Sequence, residues 1–151
     1  MSKYPVVRQH DAMDCGAACA KMIAKFYGKE FALSYLRTIC YTVKDGVSLM
    51  SINDTLETLG FKTIGGKVSL NNLKTKALLP CILHWESNHF VVLFAVKKSK
   101  FGKRYTFIVG DPGMGIITLS EEEFVKKWIS TVSRGQNSFS NLFSVCLWAV
   151  Y

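Results

Sequence analysis

No stretch of this 151-residue sequence is apolar for long enough to span a bilayer, the unbroken apolar runs being as short as Phe90 to Val96. The segment from Met1 to Asp14 is polar and lacks the apolar centre of an export signal. No Cys-x-x-Cys pair occurs, which argues against a zinc ribbon or a thioredoxin-type site. His84, Glu86 and His89 lie close together, but not in the spacing of a helical zinc motif. Gly65-Gly66-Lys67 lacks both the spacing and the following hydroxyl residue of a phosphate loop. Proline is scarce, at 3, and glycine modest, at 11, so the chain is not low in complexity. No internal repeat is present. These absences leave no expectation of a metal, a nucleotide or any other cofactor.

What is present describes one compact unit over residues 1–151. Half the residues, 49%, are hydrophobic, enough to bury a core and too many for a disordered chain. Acidic residues number 11 against 19 basic ones, for a net charge of +8. That balance favours acidic partners. Much of the excess lies in Lys97, Lys98, Lys100, Lys103 and Arg104, around Gly102. Strand-like segments flank this tract, so it reads as a solvated hairpin tip. It lacks the interleaved aromatics of a single-strand groove, and nucleic acid is not the expected partner. The five cysteines, with no export signal, are expected to be reduced thiols in the cytoplasm.

Residues 14–28 carry the first strong element. Cys15, Ala18, Cys19, Met22, Ile23 and Phe26 follow helical spacing, with Asp14 as N-cap and Gly28 as stop. A shorter helix is expected within 31–40, with Leu33, Leu36 and Cys40 inward. Ser48 caps a third, whose stripe is Leu49, Ile52, Leu56 and Leu59, ended by Gly60. A brief helix is expected at 70–77. The texture then changes to β-branched and aromatic segments at 81–85, 89–96, 105–110 and 116–119. Ser87-Asn88, the basic tract and Asp111-Pro112-Gly113 are the turns between them. Ser120 and Glu123 form a capping box for a last helix reaching Trp128. Helices first and a mostly antiparallel sheet second is an α+β order. Residues 131–141 are polar and loop-like, and 142–151 are apolar again, either a strand returning to the sheet or the start of a further element.

Four residues are candidates for chemistry. Cys15 opens the first helix, where unpaired N–H groups and the positive dipole end favour a thiolate. Gly16 removes bulk beside it. The same position also suits a small buried cysteine, and Cys19, one turn deeper, reads as core. A thiol nucleophile needs a proton carrier. His89 starts a strand and Asp111 ends the next long one. If the two pair as a hairpin with Val96 opposite Arg104, the ends bearing His89 and Asp111 become neighbours. Gln9 precedes Cys15 by six residues, where its amide can join a backbone N–H in holding an oxyanion. His10 and His84 read as structural.

The run Gln9-His-Asp-Ala-Met-Asp-Cys-Gly-Ala-Ala-Cys19, with Met22-Ile23 and Phe26-Tyr27-Gly28, closely resembles the N-terminal peptidase domain of bacteriocin-processing ABC transporters. Pro80-Cys-Ile-Leu-His-Trp85, Asn88-His-Phe-Val-Val-Leu93 and Asp111-Pro112 with Gly115 extend the resemblance over about residues 4–128. It does not extend to the cathepsin signature, since Cys15-Gly-Ala-Ala-Cys19 has a longer spacing. The resemblance implies a papain-like cysteine peptidase fold that cuts the leader peptide of secreted peptide precursors after Gly-Gly, Gly-Ala or Gly-Ser. It implies Cys15 as nucleophile, His89 as catalytic histidine, Asp111 as the residue orienting it and Gln9 as oxyanion donor. It also implies ABC transporter membrane and ATPase domains as partners, in the same polypeptide or separate, and a place at the cytoplasmic face of the bacterial inner membrane. A leader-binding domain without proteolysis, or another papain-like thiol amidase or acyltransferase, are the alternatives. The end of the family domain is commonly Leu-rich, and residues 134–151 depart from that pattern.

Overall fold

The computed structural model describes residues 3–11, 13–40, 48–85, 89–128 and 143–151. Three helices come first: α1 (Cys15–Phe26), α2 (Leu33–Cys40) and α3 (Leu49–Thr58). Then follow β1 (Lys62–Ser69), α4 (Leu70–Thr75), β2 (Cys81–Trp85), β3 (His89–Lys98), β4 (Tyr105–Asp111), β5 (Gly115–Ser120), α5 (Glu121–Lys127) and β6 (Phe143–Val150). The six strands form one sheet in the order β1-β6-β2-β3-β4-β5, every pairing antiparallel. The expected Ser87-Asn88 turn and the 131–141 loop lie outside the described residues.

Side chains alternate between two cores, one on each face of the sheet. Ile82, Phe90, Val92, Leu147 and Ala149 point to α1, α2 and α3. Leu83, Trp85, Val91, Leu93, Phe107 and Val109 point to the side of α4 and α5. Burial on both faces is why β2 and β3 read as unbroken apolar runs rather than alternating ones. On the second face Phe124 anchors α5, stacked on Phe107 at 4.1 Å and edge-on to Trp85 at 5.4 Å.

The expected caps hold at α3 and α5, where Ser48 with Ser51 and Ser120 with Glu123 bond reciprocally. Gly28 adopts φ 76° and releases the chain from α1. The N-cap of α1 differs from expectation. Asp14 occupies the position, but its side chain makes no cap hydrogen bond. Its carboxylate, fully buried, meets Arg37 Nε of α2 at 2.8 Å and accepts from the Asp11 amide at 3.1 Å. α1 is also buried more widely than a stripe implies, Ala17, Ala18 and Ala20 all being inaccessible. α2 and α3 cover the side that the sheet does not, and the small alanines permit that close approach.

One strand departs from the sequence reading, and one alternative left open for residues 142–151 is realised. β1 was not expected, because Gly65-Gly66 disfavours a strand; it forms by pairing with β6, Gly65 opposite Leu147 and Gly66 opposite Cys146. The apolar end of the chain returns as β6 and sits inside the sheet, between β1 and β2.

Candidate active site

The ends of three elements meet at one rim of the sheet: the start of α1, the start of β3 and the end of β4. The β3–β4 hairpin sets the meeting of the last two. Its register runs Lys98 opposite Tyr105, not Val96 opposite Arg104, and a bulge at Phe94 shifts it again to Val92 opposite Gly110. His89 and Asp111 are therefore not directly opposite, as the simple count assumed. Continuing the ladder sets Asp111 against Val91, two residues from His89 on the same face, which makes the two a diagonal pair. Diagonal neighbours remain within reach of long side chains. His89 Nε2 lies 2.7 Å from Asp111 Oδ1.

Gly110 makes this end of β4 possible. A Cβ there would stand 2.5 Å from Phe94 Cε2 and 3.0 Å from Met22 Sδ. The bulged Phe94 and the α1 residue Met22 thus close over bare backbone, immediately before Asp111. Asp111 is then locked by its own turn. The Gly113 amide donates to Oδ1 at 2.7 Å, and the Met114 amide donates to the Asp111 carbonyl at 3.2 Å.

The electrostatics follow from these contacts. His89 is raised from 6.5 to about 9, first by its hydrogen bond to Asp111 and second by one to Cys15, against the opposing effect of burial. Burial pushes the Asp111 carboxyl up, but His89 and the Gly113 amide outweigh it and hold the group below its usual value. With Nε2 engaged by Asp111, Nδ1 is the ring nitrogen left for the thiol. Cys15 is 5% exposed, at the first residue of α1. Three of the other thiols are disfavoured as nucleophiles. Burial pushes Cys19 far up and Cys40 up, and Cys81 is pushed up by its contact with Cys146 and by burial.

Gln9 lies along the same rim. Its backbone amide donates to the Pro112 carbonyl at 2.9 Å, which ties the segment before α1 to the turn after Asp111. Its side-chain Nε2 donates one hydrogen to the Asp11 carbonyl at 2.9 Å, and its Oε1 is buried without a partner among the described residues. The carboxamide is held against the Asp11 carbonyl, with one Nε2 hydrogen beyond that contact. All four expected residues are therefore gathered at this rim. Two contributors were missed: Gly113, which donates to Asp111, and Arg37, which holds Asp14. Asp14 next to Cys15 was the available signal for the second, but its partner lies on another helix. Among the described residues no group of acidic, histidine or cysteine side chains is arranged to hold a metal ion, and no helix is long and apolar enough to cross a membrane.

The peptidase C39 family model matches residues 3–134. The colicin V secretion/processing ATP-binding protein of Escherichia coli is 37% identical over 121 residues, covering 80% of this chain and 16% of that protein. The lactococcin-G-processing and transport ATP-binding protein of Lactococcus lactis subsp. lactis is 35% identical over 128 residues, covering 82% of this chain and 17% of that protein. The chain thus spans less than a fifth of the length of these curated relatives. Among solved structures, a double glycine motif protease from an AMS/PCAT transporter, in complex with the leader peptide, superposes with a TM-score of 0.78 at 29% identity, covering 96% of this chain and 89% of that one. The peptidase domain of Streptococcus ComA, a bi-functional ABC transporter, matches in fold with a TM-score of 0.76 at 24% identity, covering 97% of each chain.

Proposed function

This chain belongs to the peptidase C39 family, and on that premise we propose that it is a cysteine endopeptidase that removes leader peptides after a double-glycine motif, Gly-Gly, Gly-Ala or Gly-Ser. The observation that carries the reading is the 2.7 Å contact between the Asp111 carboxylate and the His89 imidazole, a ring that Cys15 at the start of α1 also helps to hold protonated.

The Cys15 thiolate, paired with the protonated His89, attacks the carbonyl carbon of the last leader residue. The carbonyl π electrons move to oxygen, and the Gln9 amide with a backbone N–H at the start of α1 holds that oxyanion. Asp14 supports this role of the helix end, because its carboxylate is held by Arg37 and Asp11 and makes no cap bond to the first-turn amides. The tetrahedral intermediate collapses, His89 protonates the leaving amine, and a thioester to Cys15 remains. Water, deprotonated by His89, attacks the thioester, which releases the leader and regenerates the Cys15 thiolate beside the His89 imidazolium. Asp111 stabilises the imidazolium and keeps Nδ1 turned to sulfur.

The relatives support this choice of substrate. They are named for processing and export, and one solved structure holds a leader peptide. A precursor peptide with such a leader is the partner, presented by ABC transporter membrane and ATPase domains on the same or a separate polypeptide. The working place is the cytoplasmic face of the bacterial inner membrane. The net charge of +8 attracts acidic leaders, in a salt-dependent way. The test uses a fluorescent peptide with a Gly-Gly leader. Cys15→Ala loses cleavage while anisotropy still reports binding, and Cys19→Ala continues to cut. Cleavage by Cys15→Ala would refute the assignment.

A further inference from the structure

The end of the β3–β4 hairpin takes no part in this chemistry. β3 is ten residues long, so at about 3.3 Å per residue its tip stands about 30 Å from the His89 end. The loop is Lys100-Phe101-Gly102-Lys103, closed by the Ser99 amide donating to the Arg104 carbonyl at 2.9 Å. At its apex Phe101 is 100% exposed. A wholly exposed phenylalanine on a closed loop contributes nothing to the core. Around it stand the exposed Lys97, Lys98, Lys100, Lys103 and Arg104. Among the described residues none of these five has a salt bridge. Lys98 lies near the Tyr105 ring, whose other cation is Lys74. The carboxylates close to the tip are Glu121 and Glu122, which share a hollow with Lys103, Arg104 and Lys126. Glu121 is already paired with Lys74 at 3.0 Å. The tip therefore stays strongly cationic.

We infer that this tip is a docking element for an anionic lipid surface, with Phe101 seated among the headgroups and the basic residues against lipid phosphates. The shape selects that partner. The apex is a fully exposed aromatic that lies outside the hollow beside α5, and a single aromatic offers no stacking track to a nucleic acid strand. A flat polyanionic interface suits a protruding aromatic ringed by cations. Docked in this way, the hairpin holds its His89 end away from the lipid. The inference does not depend on the peptidase reading, since no tip residue belongs to the site.

The test is co-sedimentation of the full chain with vesicles of equimolar phosphatidylglycerol and phosphatidylcholine, against vesicles of phosphatidylcholine alone. Binding is expected only to the anionic vesicles and to fall with added salt. Lys100→Gln and Lys103→Gln each weaken it about fivefold. Phe101→Ser weakens it as well, and Phe101→Trp gains a blue-shifted emission on anionic vesicles. Lys67→Gln, on the far edge strand β1, leaves binding unchanged, and peptide cleavage is unchanged in all the tip variants. Equal binding to neutral vesicles, or anionic binding indifferent to the tip substitutions, would overturn the inference. So would an absence of vesicle binding, which would leave an acidic protein surface as the occupant.

Discussion

Replacing Asp111 by asparagine isolates the interaction on which the site is built. Asparagine keeps an oxygen for the Gly113 amide and for Nε2–H, and removes only the charge. In the wild type, Asp111 is the foremost reason that His89 stands at about 9 rather than 6.5. That interval corresponds to about 3 kcal/mol in favour of the imidazolium, trimmed to about 2 kcal/mol because the ring is 22% exposed. A histidine raised in the folded state stabilises the fold fully below its unfolded value near 6.5, and that contribution is lost as pH rises through about 9. Wild-type stability is therefore expected to fall by about 2 kcal/mol across this window, beyond any background trend. Asp111→Asn should bring His89 back towards 6.5 and flatten the window. Two assays check this. Titration of the histidine ring C–H signals by NMR, assigned with a His89→Gln variant, follows the proton directly. Urea unfolding across the same pH range follows the stability. Cys15→Ala, which removes the second contributor, should lower the His89 value by less. If Asp111→Asn leaves His89 titrating near 9, the carboxylate does not hold the imidazolium and the reasoning fails.

Other perturbations test separate parts of the same rim. Gln9→Ala should lower kcat for leader cleavage by about 10²–10³ with KM little changed, as expected of a group that meets the oxyanion rather than the ground state; an equal rise in KM would contradict that role. Gly110→Ala should destabilise the domain by about 1–3 kcal/mol, because the new Cβ meets the Phe94 ring and Met22 at distances no repacking absorbs without movement. A fall of several degrees in Tm by calorimetry, accompanied by lower kcat/KM, checks it. Arg37→Gln should cost about 1–3 kcal/mol in urea unfolding, since it strips the guanidinium from a fully buried carboxylate. The exposed half of Arg37 keeps this below the cost of breaking a wholly buried pair. Arg37→Lys should recover part of the loss.

Helices α1, α3 and α5 were legible because their signals are local: spacing of apolar residues, a serine cap, a glycine stop. Strands β2 to β4 were equally legible, since burial on both faces demands continuous apolar runs, and the half-exposed edge strand β5 was legible from its β-branched residues between turn signals. β1 was not, because a Gly-Gly strand has no propensity of its own and exists only where β6 supplies hydrogen bonds. The Asp14 cap failed for a related reason. A local rule assigns the carboxylate to the nearest amides, whereas Arg37, distant in sequence, competes for it and prevails through charge. At the site, residue types and chain order pointed to Cys15, His89, Asp111 and Gln9, but the hairpin register that joins two of them was misjudged. The Phe94 bulge and the longer hairpin moved the ladder, and the diagonal reach of the side chains preserved the contact.

From the chain alone came the α+β order, the family motifs, the basic tip and the kinds of residue able to do thiol chemistry. These are properties of nearest neighbours and of composition, so they survive without a folded molecule. Tertiary structure decided the distances, the protonation of His89, the orientation of Asp14 and the position of β6. Each depends on groups far apart in sequence that meet only when the sheet closes and water leaves, which is when a carboxylate can impose its charge on an imidazole.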